Sequence, residues 1–122
     1  MKPSSLKIET DIPPNLTASQ ANDISLSLDP PDYFYTYYYR GILRQDLKQY
    51  REALADLDRV IQLQPDYAEA YNNRGLVRYQ LKDYRGAIKD LQTAAELFEQ
   101  QGNPEAYQFV QQTLRELPSS PR

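Results

Sequence analysis

The residues of this 122-residue chain that could carry chemistry are arginines and aspartates that recur at a fixed spacing. Arg40 and Asp56 form one candidate pair, and Arg74 and Asp90 repeat it 34 residues later. An arginine beside a carboxylate could act on a substrate, but a partly buried arginine also needs a counter-charge for structural reasons. Because the pair is duplicated, the sequence favours the structural role, in which each arginine binds the aspartate of its own repeat.

The composition argues against catalysis. The chain has no His and no Cys, so it lacks the usual general base near neutral pH, a thiol nucleophile and the commonest metal ligands. It contains no phosphate-binding loop, and its carboxylates do not fall into an inward-facing pair. We therefore expect no catalytic residue, no metal site, no cofactor and no enzymatic activity.

The charge balance argues against nucleic-acid binding. The formal net charge is -3, with 25% charged residues. Six basic residues do cluster near two predicted turns: Arg44, Lys48, Arg51, Arg78, Lys82 and Arg85. Because Asp46, Glu52 and Asp83 are interleaved with them, we interpret them as solvated helix ends. A nucleic-acid-binding adaptor is thus the less favoured alternative.

The hydropathy pattern predicts a cytoplasmic protein. No apolar run approaches the roughly 18 residues that a membrane span requires. The first residues also lack the apolar stretch of a signal peptide.

The candidate pairs lie in a segment that occurs twice. Residues 34–67 and 68–101 share 12 identities when they are aligned at a period of 34. The identities include Tyr37/Tyr71, Gly41/Gly75, Tyr50/Tyr84, Ala53/Ala87 and Leu57/Leu91. A fixed period of this length is the signature of a repeat architecture.

Each repeat splits into two helical patterns, and a fifth pattern follows. The predicted helices cover residues 33–47, 50–64, 68–81, 84–101 and 104–117. Asp32 and Asp66 are the expected N-caps, Asp66 together with Glu69 as a capping box. Gly102 suits the position after a helix end, and the following Asn103 is a good N-cap for the last helix.

Small residues predict a close contact within each helix pair. Gly41 and Gly75 lie mid-helix, where Gly costs about 1 kcal/mol relative to Ala. Ala53 and Ala87 recur on the second helix of each pair. We expect each Gly to face the Ala of its own repeat.

The combined pattern resembles the tetratricopeptide repeat (TPR) family. It has the aromatic, Gly, aromatic, Ala, large apolar and closing Pro positions of that family at Tyr37, Gly41, Tyr50, Ala53, Leu57 and Pro65. The resemblance implies an all-α, right-handed superhelix of antiparallel helix pairs, with two repeats and a capping helix. Two departures are Lys48 and Lys82, where the turn often has Gly. Glu99 replaces the closing Pro, so the fourth helix should run on by about a turn.

The resemblance also implies a concave groove lined by the first helix of each repeat, which receives a protein or peptide partner. By position the groove residues are Tyr35, Tyr38, Tyr39, Ile42, Gln45 and Asp46, then Glu69, Asn72, Asn73, Leu76, Tyr79 and Gln80. Tyr is enriched in binding hot spots, and amides can bond a partner's backbone. The expected role is a scaffold or assembly factor. In the competing structural interpretation, some tyrosines only cover the exposed first helix.

The two ends of the chain differ from the repeats. Residues 1–32 hold five of the nine prolines and are predicted to be a flexible tail, as are residues 118–122, which leaves a domain over 33–117. Two repeats are few for a solenoid, since about three normally bury a continuous core. Unless the tail covers the first helix pair, a homo-oligomer that associates through Tyr33–Tyr39 is the alternative function.

Overall fold

Five α-helices make up the part of the chain that the computed structural model describes, residues 33–118. They are α1 (Phe34–Asp46), α2 (Tyr50–Leu63), α3 (Ala68–Gln80), α4 (Tyr84–Gln100) and α5 (Pro104–Glu116). Within these residues there is no strand, and each helix boundary lies within one residue of its prediction. The all-α fold is confirmed. The predicted tail over residues 1–32 and the last four residues lie outside the described part.

The helices pack in the order of the chain. α1 packs on α2 and α3 packs on α4, while α2 contacts α3 and α5 covers α4. Buried side chains join these layers: Val77 of α3 packs with Ala53 and Leu57 of α2. Likewise, Val110 of α5 packs with Leu91 of α4. The core therefore consists of three buried clusters that lie between successive helices, and α5 covers the last of them as a capping helix.

Pro65 and Glu99 explain why the two second helices differ in length. α2 has 14 residues and stops at Leu63, before Pro65, whereas α4 has 17 residues and continues through Glu99. Proline lacks the backbone N–H and clashes with the preceding turn, so it ends a helix. The predicted extension of α4 is confirmed.

The predicted N-cap at Asp66 is wrong. The N-cap of α3 is Tyr67, whose side chain makes no capping hydrogen bond. Tyr33 is the corresponding N-cap of α1. The Tyr67 ring packs edge-on against Phe34 at 5.0 Å, so tertiary packing outweighs the local capping preference. Asp32, the other expected cap, lies outside the described residues.

Side-chain caps occur at two other helix starts. The Asp83 carboxylate accepts a hydrogen bond from Gly86 N at 3.1 Å, and Asn103 Oδ1 accepts one from Ala106 N at 3.2 Å. The Asn103 cap confirms its prediction, whereas the Asp83 cap was not foreseen. Gly102 has a φ of +69°, which is the left-handed conformation expected of it.

The mid-helix glycines sit at close helix contacts. A Cβ on Gly75 would lie 3.0 Å from the carbonyl oxygen of Ala87, whereas one on Gly41 would lie 3.3 Å from Asp56 Cβ. Gly75 thus faces its Ala as predicted. The nearest neighbours of Gly41 are Asp56 and Leu57, and Ala53 is not one of its three closest atoms.

Candidate peptide-binding groove

Asp56 and the arginines of α1 form a closed ion cluster between α1 and α2. Arg40 donates from Nε to Asp56 Oδ2 at 3.0 Å and from Nη2 to Oδ1 at 2.7 Å. Arg44 Nη1 donates a third hydrogen bond, to Oδ2, at 3.1 Å. Asp56 is only 3% exposed, so two cations and three hydrogen bonds compensate its buried charge. The carboxylate of Asp56 is thus bound within its own repeat.

Asp90 repeats the cluster between α3 and α4. Arg74 donates two hydrogen bonds to the Asp90 carboxylate, both at 2.9 Å, and Arg78 Nη1 donates a third at 2.8 Å. Arg74 Nη1 also binds Asp58 of α2 at 3.0 Å, which links the two repeats. Burial lowers the pKa of Arg74, but the bonds to Asp90 and Asp58 outweigh it and raise the pKa above its usual value.

Arg44 and Arg78 correct one sequence interpretation. Both were expected at solvated helix ends, yet each binds the buried aspartate of its repeat. Each lies four residues after the first arginine of its cluster, so both side chains share one helix face. That spacing, duplicated at the repeat period, is the signal that could have found them.

A groove of about 450 Å³ lies near the C-terminal ends of α1 and α3. It is lined by Gln45, Asp46, Lys48, Tyr50, Leu76, Tyr79, Gln80 and Leu117. Five of the twelve predicted groove residues meet here: Gln45, Asp46, Leu76, Tyr79 and Gln80. Tyr79 is held by an edge-on contact with Tyr84 at 5.0 Å. Gln45 Oε1 is buried and has no hydrogen-bond partner within the described residues.

Two more predicted residues, Tyr38 and Tyr39, form a tyrosine cluster with Tyr67, which precedes α3. The Tyr38 ring contacts Tyr39 at 5.5 Å and Tyr67 at 5.1 Å, both edge-on. Tyr38 is half-buried, and its hydroxyl oxygen accepts a hydrogen bond from Asn73 Nδ2 at 3.0 Å. Tyr38 therefore joins the repeats, while Tyr39, at 66% exposure, faces solvent.

A family model of the tetratricopeptide repeat matches residues 48–115, just over half of the chain. The chain belongs to the tetratricopeptide repeat family. No curated protein matches the chain. TPR proteins generally mediate protein–protein interactions and typically have no catalytic role. The match begins at Lys48, so the assignment of α1 as a TPR helix depends on the internal repeat, in which α1 shares Tyr37, Arg40, Gly41 and Arg44 with α3.

Sequence reasoning missed Lys48, Tyr50 and Leu117, which line the groove, and Tyr67 of the tyrosine cluster. Tyr67 lies outside the helix, so a search restricted to helical positions omits it. The signal was the repeat of Pro31-Asp32-Tyr33 as Pro65-Asp66-Tyr67. Burial and then the Glu69 carboxylate raise the pKa of Tyr67. Burial, then Tyr67 and Glu69, raises the pKa of Tyr38 to about 12, so both hydroxyls stay neutral at physiological pH.

The remaining predicted residues of the TPR groove are scattered. Tyr35 stacks on Tyr33 at 5.6 Å, at the start of α1. Ile42 and Asn72 are half-buried, and Asn72 Oδ1 is a buried atom without a partner in the described region.

Among residues 33–118, no helix is long and apolar enough to cross a membrane.

Proposed function

We propose that this TPR chain is a non-catalytic interaction module whose groove between α1 and α3 binds a segment of a protein partner. The observation that carries the proposal is the Gln45 amide oxygen, which is buried and has no donor among residues 33–118, although the side chain of Gln45 lines the groove. A buried polar atom left unsatisfied costs about 1–3 kcal/mol. If the Gln45 side chain turns toward the groove, a backbone N–H of a bound segment would remove that cost.

The surrounding side chains support the same function. Leu76 and Tyr79 offer apolar contact, and Gln80 can bond a backbone group of the segment. The arginines of α1 and α3 bind aspartates in the two ion clusters, on the other side of these helices. Because their charge is already compensated there, the nucleic-acid alternative is weakened. A role as a scaffold or assembly factor and a cytoplasmic location stay predictions that accompany this proposal.

Affinity capture with matched variants tests the proposal. The full chain is used as bait, together with Gln80→Ala in the groove and Lys89→Ala on the exposed surface of α4. We expect a partner that the wild-type chain and Lys89→Ala both retain and that Gln80→Ala loses. A partner that is retained equally by all three baits would place its binding surface elsewhere and contradict the groove proposal.

Self-association through α1 is the second candidate function. Within residues 33–118, five of the six exposed large hydrophobic residues lie in α1 or beside it: Tyr33, Tyr35, Tyr39, Leu43 and Leu47. Exposed apolar area concentrated on one element is typical of interaction surfaces. A homodimer formed by two α1 helices would bury these apolar side chains against each other and so account for their position.

Light scattering after size-exclusion chromatography separates the two candidates. We compare the wild-type chain with Tyr39→Ala, which removes the most exposed of these rings. A monomer that is unchanged by the substitution supports partner capture. A dimer that dissociates in the variant supports self-association.

A further inference from the structure

The tyrosine cluster presents one aromatic ring, that of Tyr39, to solvent. The Tyr38 ring lies behind Tyr39 and is fixed by Tyr67 and by the hydrogen bond from Asn73. Tyr39 is thereby supported from one side and 66% exposed on the other. The face of an aromatic ring carries partial negative charge, so it attracts a cation within about 6 Å of the ring centroid.

Glu69 adds a full negative charge beside this face. Asn73 Nδ2 donates to the carbonyl oxygen of Glu69 at 2.9 Å and also to the Tyr38 hydroxyl at 3.0 Å, which ties this turn of α3 to the cluster. Glu69 precedes Asn73 by four residues and so lies on the same face of α3. Its carboxylate contributes, after burial, to raising the pKa of Tyr38 and of Tyr67. The tyrosine rings and the Glu69 carboxylate together form a site that can attract a cation.

The cations of α1 and α3 point away from this site. These two helices contain four basic residues, all arginines, and each donates to the buried aspartate of its own repeat. Lys48 lies beyond the C-terminal end of α1, at the groove rather than at the tyrosine cluster. The side of α1 and α3 that carries Tyr39 and Glu69 is thus left with negative charge.

The groove adds further acceptors along the same two helices. Gln45 Oε1 is buried without a donor, and Asp46 contributes a carboxylate. We propose, on the basis of the function proposed above, that the bound partner segment is cationic and places a Lys or Arg side chain between the Tyr39 ring and Glu69. The groove lining includes both the carboxylate of Asp46 and the cation of Lys48, so the charge of Glu69 beside the aromatic face is what favours a basic segment over an acidic one or a nucleic-acid phosphate.

Selection from a phage-displayed library of random dodecapeptides tests this inference on the full chain at low ionic strength. We expect selected peptides to be enriched in Lys and Arg relative to the input library. The strongest peptide is then measured by fluorescence anisotropy against four variants. They are Tyr39→Leu, Tyr39→Phe, Glu69→Gln and, as a charge-matched control on the exposed start of α2, Glu52→Gln.

The variants distinguish the aromatic character of Tyr39 from its apolar area, and the charge of Glu69 from its shape. Tyr39→Leu and Glu69→Gln should each weaken binding about threefold, since exposed cation–π and ionic contacts are of that order. Tyr39→Phe keeps the aromatic face and should bind like the wild-type chain, as should Glu52→Gln. Replacing the peptide's basic residue by Gln should abolish the effect of Glu69→Gln, because the two changes remove the same interaction.

The outcomes distinguish this inference from the function on which it rests. Peptides selected without basic enrichment, with binding lost in Gln80→Ala but not in Glu69→Gln, would overturn the cationic partner and leave the groove function standing. If the wild-type chain selects no peptide at all, the groove function itself is contradicted, and the inference falls with it. Circular dichroism of each variant shows whether it has kept its fold.

Discussion

The two repeats share a backbone plan but bury equivalent residues to different degrees. Val77 of α3 is fully buried beneath α2, whereas its counterpart in α1, Leu43, is 48% exposed. Leu81 is half-buried, and its counterpart Leu47 is 57% exposed. The difference follows from the neighbour: α2 precedes α3, while no helix precedes α1 among the described residues. Burial in a repeat protein is therefore set by position in the array as much as by residue type.

The repeats also differ in the side chains that they place on the groove side. Tyr38-Tyr39 of α1 stands where α3 has Asn72-Asn73. Asn73 donates to the Tyr38 hydroxyl, so the second repeat supplies the donor for a ring of the first. The two copies have become complementary: one provides aromatic surface, and the other holds it in place.

The largest expected effect tests what the repeats have in common. Asp56→Asn and Asp90→Asn each leave two arginines without their buried counter-charge, and each should lower the free energy of unfolding by about 3 kcal/mol. Urea unfolding measures it. Asp58→Asn is the control, because Asp58 is 44% exposed and its single bond to Arg74 should contribute less than about 1 kcal/mol. Costs for Asp56 and Asp90 that differ strongly would contradict the equivalence of the two clusters.

A smaller effect tests the difference in burial. Val77→Ala should cost about 2 kcal/mol, because it opens a cavity in a core that α2 covers. Leu43→Ala removes more atoms but should cost less than about 1 kcal/mol, since nearly half of Leu43 is already in water. The same urea experiment compares them. Equal costs would mean that the Leu43 face of α1 is covered in solution, which would favour self-association through α1.

The two glycines test how closely each helix pair approaches. Alanine gains about 1 kcal/mol of helix propensity over glycine. At Gly75 the added Cβ would lie 3.0 Å from a backbone oxygen, and overpacking of this kind costs about 1–3 kcal/mol, so Gly75→Ala should destabilise by about 1 kcal/mol net. At Gly41 the nearest atoms, at 3.3 Å, belong to side chains, and Gly41→Ala should be close to neutral. Thermal unfolding of both variants measures the contrast; a more stable Gly75→Ala would show that α3 and α4 can separate at little cost.

Periodicity was enough to predict the helices, because a repeat fixes boundaries and packing partners together. It also predicted the pairing of Arg40 with Asp56 and of Arg74 with Asp90. It did not predict Arg44 and Arg78 as partners, because their closeness to a turn suggested solvent exposure. The spacing of Arg44 and Arg78 along their helices indicates where their side chains point more reliably than their distance from the turn does.

The arrangement of the candidate site was harder to predict, because it depends on contacts between repeats. Tyr38 has the spacing of a groove residue, but its hydroxyl meets Asn73, 35 residues away, and that contact draws the ring into the repeat interface. Tyr67 takes the N-cap position of α3 in place of Asp66, because its ring packs against Phe34. A single sequence shows neither contact, since each requires the relative position of two repeats.

The smallest expected effect concerns the starts of the two second helices. In repeat two, Asp83 caps α4 through Gly86 N, and a side chain on Gly86 would collide with that carboxylate. In repeat one, Gln49 precedes α2 without a capping side chain, and Glu52 takes the place of Gly86. Asp83→Ala should therefore cost about 0.5–1 kcal/mol, whereas Gln49→Ala should cost close to nothing.

Hydrogen exchange of the first-turn amides measures this last contrast where it arises. Protection of Gly86 N should fall in Asp83→Ala, because that amide loses its acceptor. The reciprocal change, Gln49→Asp, should supply a cap to α2 and raise the free energy of unfolding by about 0.5 kcal/mol, less than a natural cap because Glu52 also places a negative charge in that turn. The backbone is already alike at the two starts, with φ -90° and ψ 72° at Gln49 and φ -89° and ψ 76° at Asp83. If Gln49→Asp gains nothing, the capping difference between the repeats is therefore not a matter of the residue at that position, and Glu52 in the place of Gly86 becomes the cause to test.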